Sequence, residues 1–263
     1  MATVISRKSI KLILLSFLGI VGLIVYSQLI QSSTLLVAAA ASMQPALKEI
    51  TPLYQRSGAN LKVNYNFGSS GALEQQIEQG APIDIFISAA NKQMNMLEMK
   101  NLIIPKTRKI LLTNQLVLIT STTSSLKLTD FRQLVEPEIQ RIAIGEPRSV
   151  PVGQYATEVF KNLGILDRVE SKFVLANNVR AVLAAVETGA ADAGIVYVSD
   201  AQSSDRVLVS AIADPKLHSP IIYSIAILKS SRLLESAEKY VDFLQNPLAQ
   251  TVFKKYGFVI ANP

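Results

Sequence analysis

The chain has no cysteine, no tryptophan and one histidine in 263 residues. Without cysteine it has no disulfide, no thiolate metal site and no thiol nucleophile. With a single histidine, Ser-His pairs and zinc centres lack parts. That histidine, His218, stands in the loop "DPKLHSP", where a solvated side chain is the ordinary outcome. There is no Walker-type phosphate loop, no GxGxxG and no HExxH. Glu146 and Asp192 could act as bases, but each is placed to serve a turn or a cap. An enzyme is therefore not expected. Nucleic acid is excluded as a partner too, because no basic cluster is present and aromatic residues make up only 6% of the chain.

Acid is missing from the N-terminal stretch, where nothing precedes Glu49, while Arg7, Lys8 and Lys11 lead into "LILLSFLGIVGLIVY". With those three set aside, 23 of the 26 basic residues face 20 acidic ones, so much of the net charge of +6 lies at this end. A basic segment before an apolar run describes an export signal. Extended through Ile30, the run approaches the ~20 residues of a membrane span, so a cleaved signal peptide and a retained signal anchor both remain open for residues 1–33. In both cases the remainder lies outside the cytoplasm, in the periplasm or its equivalent. "LLVAAAASMQ" further on has the small residues of a cleavage site, but cutting there would destroy a strand. Cleavage, if any, is expected between Ser27 and Thr34.

What is present is a large apolar fraction, 49%, enough for a substantial core. From Thr34, short apolar runs alternate with amphipathic segments. "TLLVAA", "LKVNYNF" and "IDIFISA" read as strands, and residues 43–56, "GALEQQIEQG" and "NKQMNMLEMKN" as helices, with Pro52 expected to kink or end the first. That βαβαβα order argues an α/β architecture with a mostly parallel sheet. "KILLTNQLVLITS" is a long extended run suited to crossing between domains. After it come "LTDFRQLV" (helix), "RIAIGEP" (strand), "GQYATEVFKNLG" (helix), "SKFVLA" (strand), "NVRAVLAAVETGA" (helix) and "DAGIVYV" (strand). "PIIYSIAIL" then returns, before two closing helices near residues 231–245 and 247–255. Two crossings predict two lobes joined by a hinge, residues 34–114 plus 220–263 in one and 115–219 in the other.

A small polar residue or glycine recurs where a strand hands over to a helix: Ser42 after "VAAAA", Ser69 and Ser70 in "FGSSGAL", then "GEPRSVPVGQYA" and "ANNVRAV". In open α/β folds ligands bind beyond the carboxyl ends of strands. Helix N-termini there present unpaired N–H groups and a partial positive charge, which favour an anion. Taken singly, each such serine reads as a helix cap and "GSSG" as a turn.

The ordered series "AAAASM", "NFGSSGALEQQIEQGAPIDIFISAA", "IGEPRSVPVGQYA", "NNVRAVLAAVETGAADAGIVYVSDA" and "VFKKYGF" resembles the periplasmic molybdate-binding proteins of ABC transporters across residues 34–260. The resemblance implies a two-lobed, type II periplasmic-binding-protein fold with a hinge and an inter-lobe ligand cleft. It further implies capture of molybdate or tungstate without a cofactor, delivery to a membrane permease with its ATPase, and a monomer. It places the ligand contacts on the Ser42 and Ser70 hydroxyls (Ser69 if the register slips), the backbone N–H groups of Val152 and Val179, and the Tyr197 hydroxyl. Relatives commonly carry alanine where Val152 stands. Arg148 and Arg180 are expected at the rim or in ion pairs. The alternatives are a binding protein for another oxyanion or a small organic acid, a membrane-tethered oxyanion sensor using residues 12–30, and a transferase-like enzyme on a related bilobal fold.

Overall fold

The computed structural model describes residues 34–58 and 61–261; the signal or anchor expected in residues 1–33 lies outside them. β1 (Thr34–Ala40), α1 (Gln44–Arg56), β2 (Lys62–Gly68), α2 (Ser70–Glu78), β3 (Ile85–Ser88) and α3 (Asn91–Met99) alternate as the hydrophobic pattern predicts. β4 (Lys109–Thr113) and β5 (Leu116–Ser121) follow, then β6 (Ile142–Gly145), α4 (Pro151–Asn162), the short α5 (Leu166–Val169) and β7 (Phe173–Ala176). α6 (Val179–Glu187), β8 (Ala193–Tyr197), the single turn α7 (Val198–Ala201) and β9 (Val207–Ile212) come next. β10 (Ile222–Ile227), α8 (Leu234–Leu244), α9 (Pro247–Lys255) and β11 (Val259–Ile260) end the described chain.

The strands form two sheets, β11-β4-β10-β3-β1-β2 and β7-β6-β8-β5-β9. Membership changes between Thr113 and Leu116 and again between Ile212 and Ile222, so the chain crosses from one sheet to the other twice. The crossings are tied together, Asn114 N–H donating to Ile221 O at 3.3 Å and Ala213 N–H to Leu116 O at 2.9 Å. β1 is parallel to β3, and β6 to β7 and β8, as helical crossovers require. β10 is antiparallel to β3 and β4, and β5 to β8 and β9. Both sheets are therefore mixed, not mostly parallel. The outbound and returning crossings run in opposite directions, and that forces antiparallel pairs into each sheet.

Three local expectations are corrected. "KILLTNQLVLITS" is two strands, β4 and β5, each in its own sheet. "LTDFRQLV" forms only a 3₁₀ turn at Phe131–Val135, held by a capping box between Asp130 and Gln133. α1 continues through Pro52 to Arg56. Proline removes one donor, that for the carbonyl of Lys48, which is an exposed residue, while the buried stripe of Ala46, Leu47, Ile50 and Tyr54 continues on both sides. β9 went unpredicted: an edge strand that exposes Leu208, Val209 and Ile212 does not show the alternation of a half-buried strand.

The turn between β6 and α4 is packed backbone to backbone. A Cβ built on Gly153 would lie 1.9 Å from Gly145 O, and one on Gly145 would lie 2.5 Å from a Val150 methyl. These glycines let the first turn of α4 sit directly on the end of β6. Gly153→Ala is expected to lower stability by about 3 kcal/mol through overpacking, read as a shift of the urea midpoint at constant slope.

Candidate functional site

Five strand ends feed helical turns at the junction of the two sheets. β1 runs into a 3₁₀ turn at Ala41–Met43, β2 into α2, β6 through a loop into α4, β7 into α6, and β8 into α7. Ser42, Ser70, Val152, Val179 and Tyr197 all line one cavity there, with Ser69 beside Ser70. Each of the six is at most 5% exposed. A water-sized sphere has about 10 Å³ in which to place its centre, the scale of one water or one small ion. Ser42 and Ser70 come from the first sheet's side, the other three from the second.

The two serines of "GSSG" divide two tasks. Ser69 is the cap of α2, its Oγ accepting from Ala72 N–H at 3.4 Å. Ser70 Oγ accepts from Ala89 N–H at 3.0 Å, beyond the end of β3, which leaves its own hydrogen free to donate into the cavity. Ser42 caps no helix; its Oγ is 2.8 Å from Tyr223 Oη on β10. When Tyr223 donates, the Ser42 hydrogen is also free for the cavity. Val152 and Val179 lie in the first turns of α4 and α6, where an N–H has no carbonyl within its own helix to serve. Pro151 at the start of α4 and Asn178, whose Oδ1 accepts from Ala181 N–H at 3.1 Å, fix those two starts. Tyr197 Oη is buried and has no hydrogen-bond partner among the described residues.

Among the described residues, no charged side chain lines the cavity. Burial raises the Tyr197 and Tyr223 phenols well above their ordinary range, so both remain neutral donors. Arg148 is surface-exposed and pairs with Glu146 at 3.0 Å. Arg180 Nη1 donates to Ser203 Oγ at 2.6 Å. Asp192 accepts from the N–H groups of Gln140 and Arg141 at 2.9 and 2.8 Å, a turn role. His218 is half-buried, its ring edge-on to Tyr155 with centroids 5.9 Å apart, and its Nδ1 lies 2.8 Å from Ser219 O.

Four residues behind the cavity wall, Tyr155, Asp200, Tyr223 and Phe258, were not singled out by the sequence reading. Tyr223 orients Ser42 across 181 positions of chain, and nothing local in "PIIYSIAIL" marks it out. Tyr155, Tyr197, Tyr223 and Phe258 form an edge-to-face row with successive centroids 6.5, 6.0 and 5.3 Å apart. Asp200 stood in the quoted "YVSDA" and is fully buried at the third position of α7. Its Oδ2 accepts from Tyr197 N–H at 3.4 Å and its Oδ1 has no partner among the described residues. Burial pushes its carboxyl up to about 7, against the pull of Arg180 and of that N–H.

A family model described as bacterial extracellular solute-binding protein matches residues 35–259. The putative ABC transporter substrate-binding lipoprotein YvgL of Bacillus subtilis is 40% identical over 225 residues, 86% of each chain. The molybdate-binding protein ModA of Haemophilus influenzae is 35% identical over 230 residues, 86% of this chain and 90% of its own. Among solved structures, the periplasmic molybdate-binding protein of Azotobacter vinelandii superposes with a TM-score of 0.79 at 25% identity, over 87% of this chain and 100% of that one.

Asp200 makes stability depend on pH. Its carboxyl titrates near 7 when folded and near 3.8 when unfolded. Below the lower value both states hold the proton; above it the unfolded chain releases its proton first, so stability falls as pH rises towards 7 and stays low beyond. Asp200→Asn removes this contribution. From pH 4.5 to 7 the melting temperature of the variant should gain steadily on that of the unaltered protein and then level off, and a constant difference across that range would contradict the assignment.

Proposed function

The chain belongs to the bacterial extracellular solute-binding protein family, and from that premise we propose that it captures molybdate or tungstate in the cavity between its two sheets and hands it to an ABC importer. The convergence carries this reading: Ser42, Ser70, Tyr197, Val152 and Val179, which offer three hydroxyls and two first-turn N–H groups, line one ion-sized space. Both anions are fully deprotonated dianions at neutral pH. They offer acceptors and no proton, and the five groups are donors. Neutral preorganised dipoles in a dry site offset the loss of hydration without burying a countercharge. Asp200, the buried acid behind Tyr197, fits this scheme because a dianion nearby holds it in its uncharged form.

Size sets selectivity. A shell matched to the longer bonds of molybdate and tungstate leaves sulfate oxygens too far from one donor or another for good hydrogen bonds. Room for the centre of about one water-sized sphere favours a small ion over the organic-acid alternative. ModA and the Azotobacter protein are molybdate binders by name, which supports the same ligand here. On this reading the protein is a binder, not a catalyst, and works outside the cytoplasm as a monomer, with a permease and its ATPase as partners. YvgL is a lipoprotein by name, whereas this sequence has no cysteine to carry a lipid. Any tether would then be the apolar run of residues 12–30.

Calorimetric titration at neutral pH should give tight binding for molybdate and tungstate and weak or no binding for sulfate and phosphate. Tight binding confined to phosphate or to an organic acid would overturn the assignment. Ser42→Ala and Tyr197→Phe should each weaken molybdate binding about tenfold or more, the usual effect of losing one hydrogen bond to a charged group. Tyr223→Phe should weaken it less, because it frees Ser42 without removing a donor.

A further inference from the structure

One backbone hydrogen bond joins the two sides of the cavity without involving any of the five donors. Gly71, second residue of α2, donates its N–H to Ser149 O at 3.0 Å. α2 belongs with the first sheet, through β2 and β3; Ser149 lies in the loop between β6 and α4 of the second. The approach is closer than any side chain permits. A Cβ on Gly71 would lie 2.5 Å from Ser149 O and 2.9 Å from its Cα, both backbone atoms that no rotamer change can move aside. Gly71 is itself buried.

We propose that Gly71 and the Ser149 carbonyl form the latch that sets how far the two sides close, and hence how long the anion is held, with no contact to the anion itself. This rests on the oxyanion reading above and adds a positioning residue to it.

The chemistry explains why the latch sits here. The first turn of a helix carries N–H groups with no partner of their own. In α4 and α6 the residues that carry them, Val152 and Val179, line the cavity. α2 supplies a hydroxyl, Ser70, and commits the N–H of the next residue to the opposite loop. That loop carries Val150, Pro151 and Val152 directly after Ser149, so the bond brings the Val152 N–H into register with Ser70. The loop is stiff, with Ser149 N–H and Val150 N–H both donating to Glu146 O at 3.1 and 2.8 Å. Opening about the crossings at Asn114–Gln115 and residues 213–221 separates Gly71 from Ser149. The bond is therefore a property of the closed arrangement, and a methyl group at residue 71 opposes that arrangement alone.

When only the closed form holds the ligand fully, apparent affinity scales with the population of that form. Gly71→Ala should therefore weaken molybdate binding about tenfold or more, chiefly through faster dissociation, while the melting temperature without ligand stays unchanged. Closure can be read by energy transfer between dyes at Met99→Cys on α3 and Asp167→Cys on α5, exposed positions in a chain that has no native cysteine. Molybdate should raise transfer in the labelled parent and raise it less when Gly71→Ala is added. In the unaltered protein, amide exchange at Gly71 should slow sharply on adding molybdate, and this measurement decides the matter if the variant does not fold. A variant that binds and closes like its parent, or a Gly71 amide equally protected with and without molybdate, overturns the latch alone. A parent that neither binds nor closes with molybdate or tungstate overturns the ligand reading and the latch together.

Discussion

A hydrogen-bond donor shut away from water must find an acceptor or cost about 1–3 kcal/mol, and the junction of the two sheets collects several such donors. The Tyr197 hydroxyl is the plainest case: buried, neutral and without a partner among the described residues. The Ser42 and Ser70 hydroxyls already accept or share one bond and retain a hydrogen to give. The arrangement around them serves to hold this set in place: glycine-packed turns, capped helix starts, and a row of aromatic rings between the crossings. Such a set gains most from an acceptor-only ligand that reaches every donor at once, as a tetrahedral dianion does.

Charge is kept away from that meeting point. Arg148 is turned to solvent against Glu146, and Arg180 is committed to Ser203 and to the neighbourhood of Asp200. A cationic side chain in the cavity would bind any anion of either charge state. Neutral dipoles at fixed positions instead make shape and the lack of a ligand proton the criteria. Asp200 brings an acid close, and the burial that makes ionisation costly raises its carboxyl to about 7, so that it still carries a proton part of the time near neutrality. Closure belongs to the same economy, since Gly71 contributes to it by having no side chain at all.

Much of the fold was legible because period and punctuation agree along the chain. β1, β3, β6 and β8 read as apolar runs, and α2, α3 and α6 as short amphipathic segments. The misses have physical causes. Pro52 was given too much weight against a buried stripe that spans it. Edge strand β9 lacks a one-sided pattern because neither of its faces is fully covered. The sheets came out mixed because strand direction follows from where the chain crosses, and "KILLTNQLVLITS", read as one extended crossing, does not show which strands its two halves pair with or in which direction.

The site divides in the same way. The amino-acid order alone determined that small polar residues stand after strands and before helices, that neutral donors would outnumber charges there, and that cysteine is missing and histidine single. These are local facts, set by strand-to-helix geometry and residue chemistry. Only the tertiary structure decided which serine caps and which faces the cavity, that Tyr223 on a distant strand orients Ser42, that Asp200 lies buried behind Tyr197, and that Gly71 meets Ser149. Each of those depends on two segments far apart in sequence meeting across a space a few ångströms wide, and no local pattern encodes such a meeting.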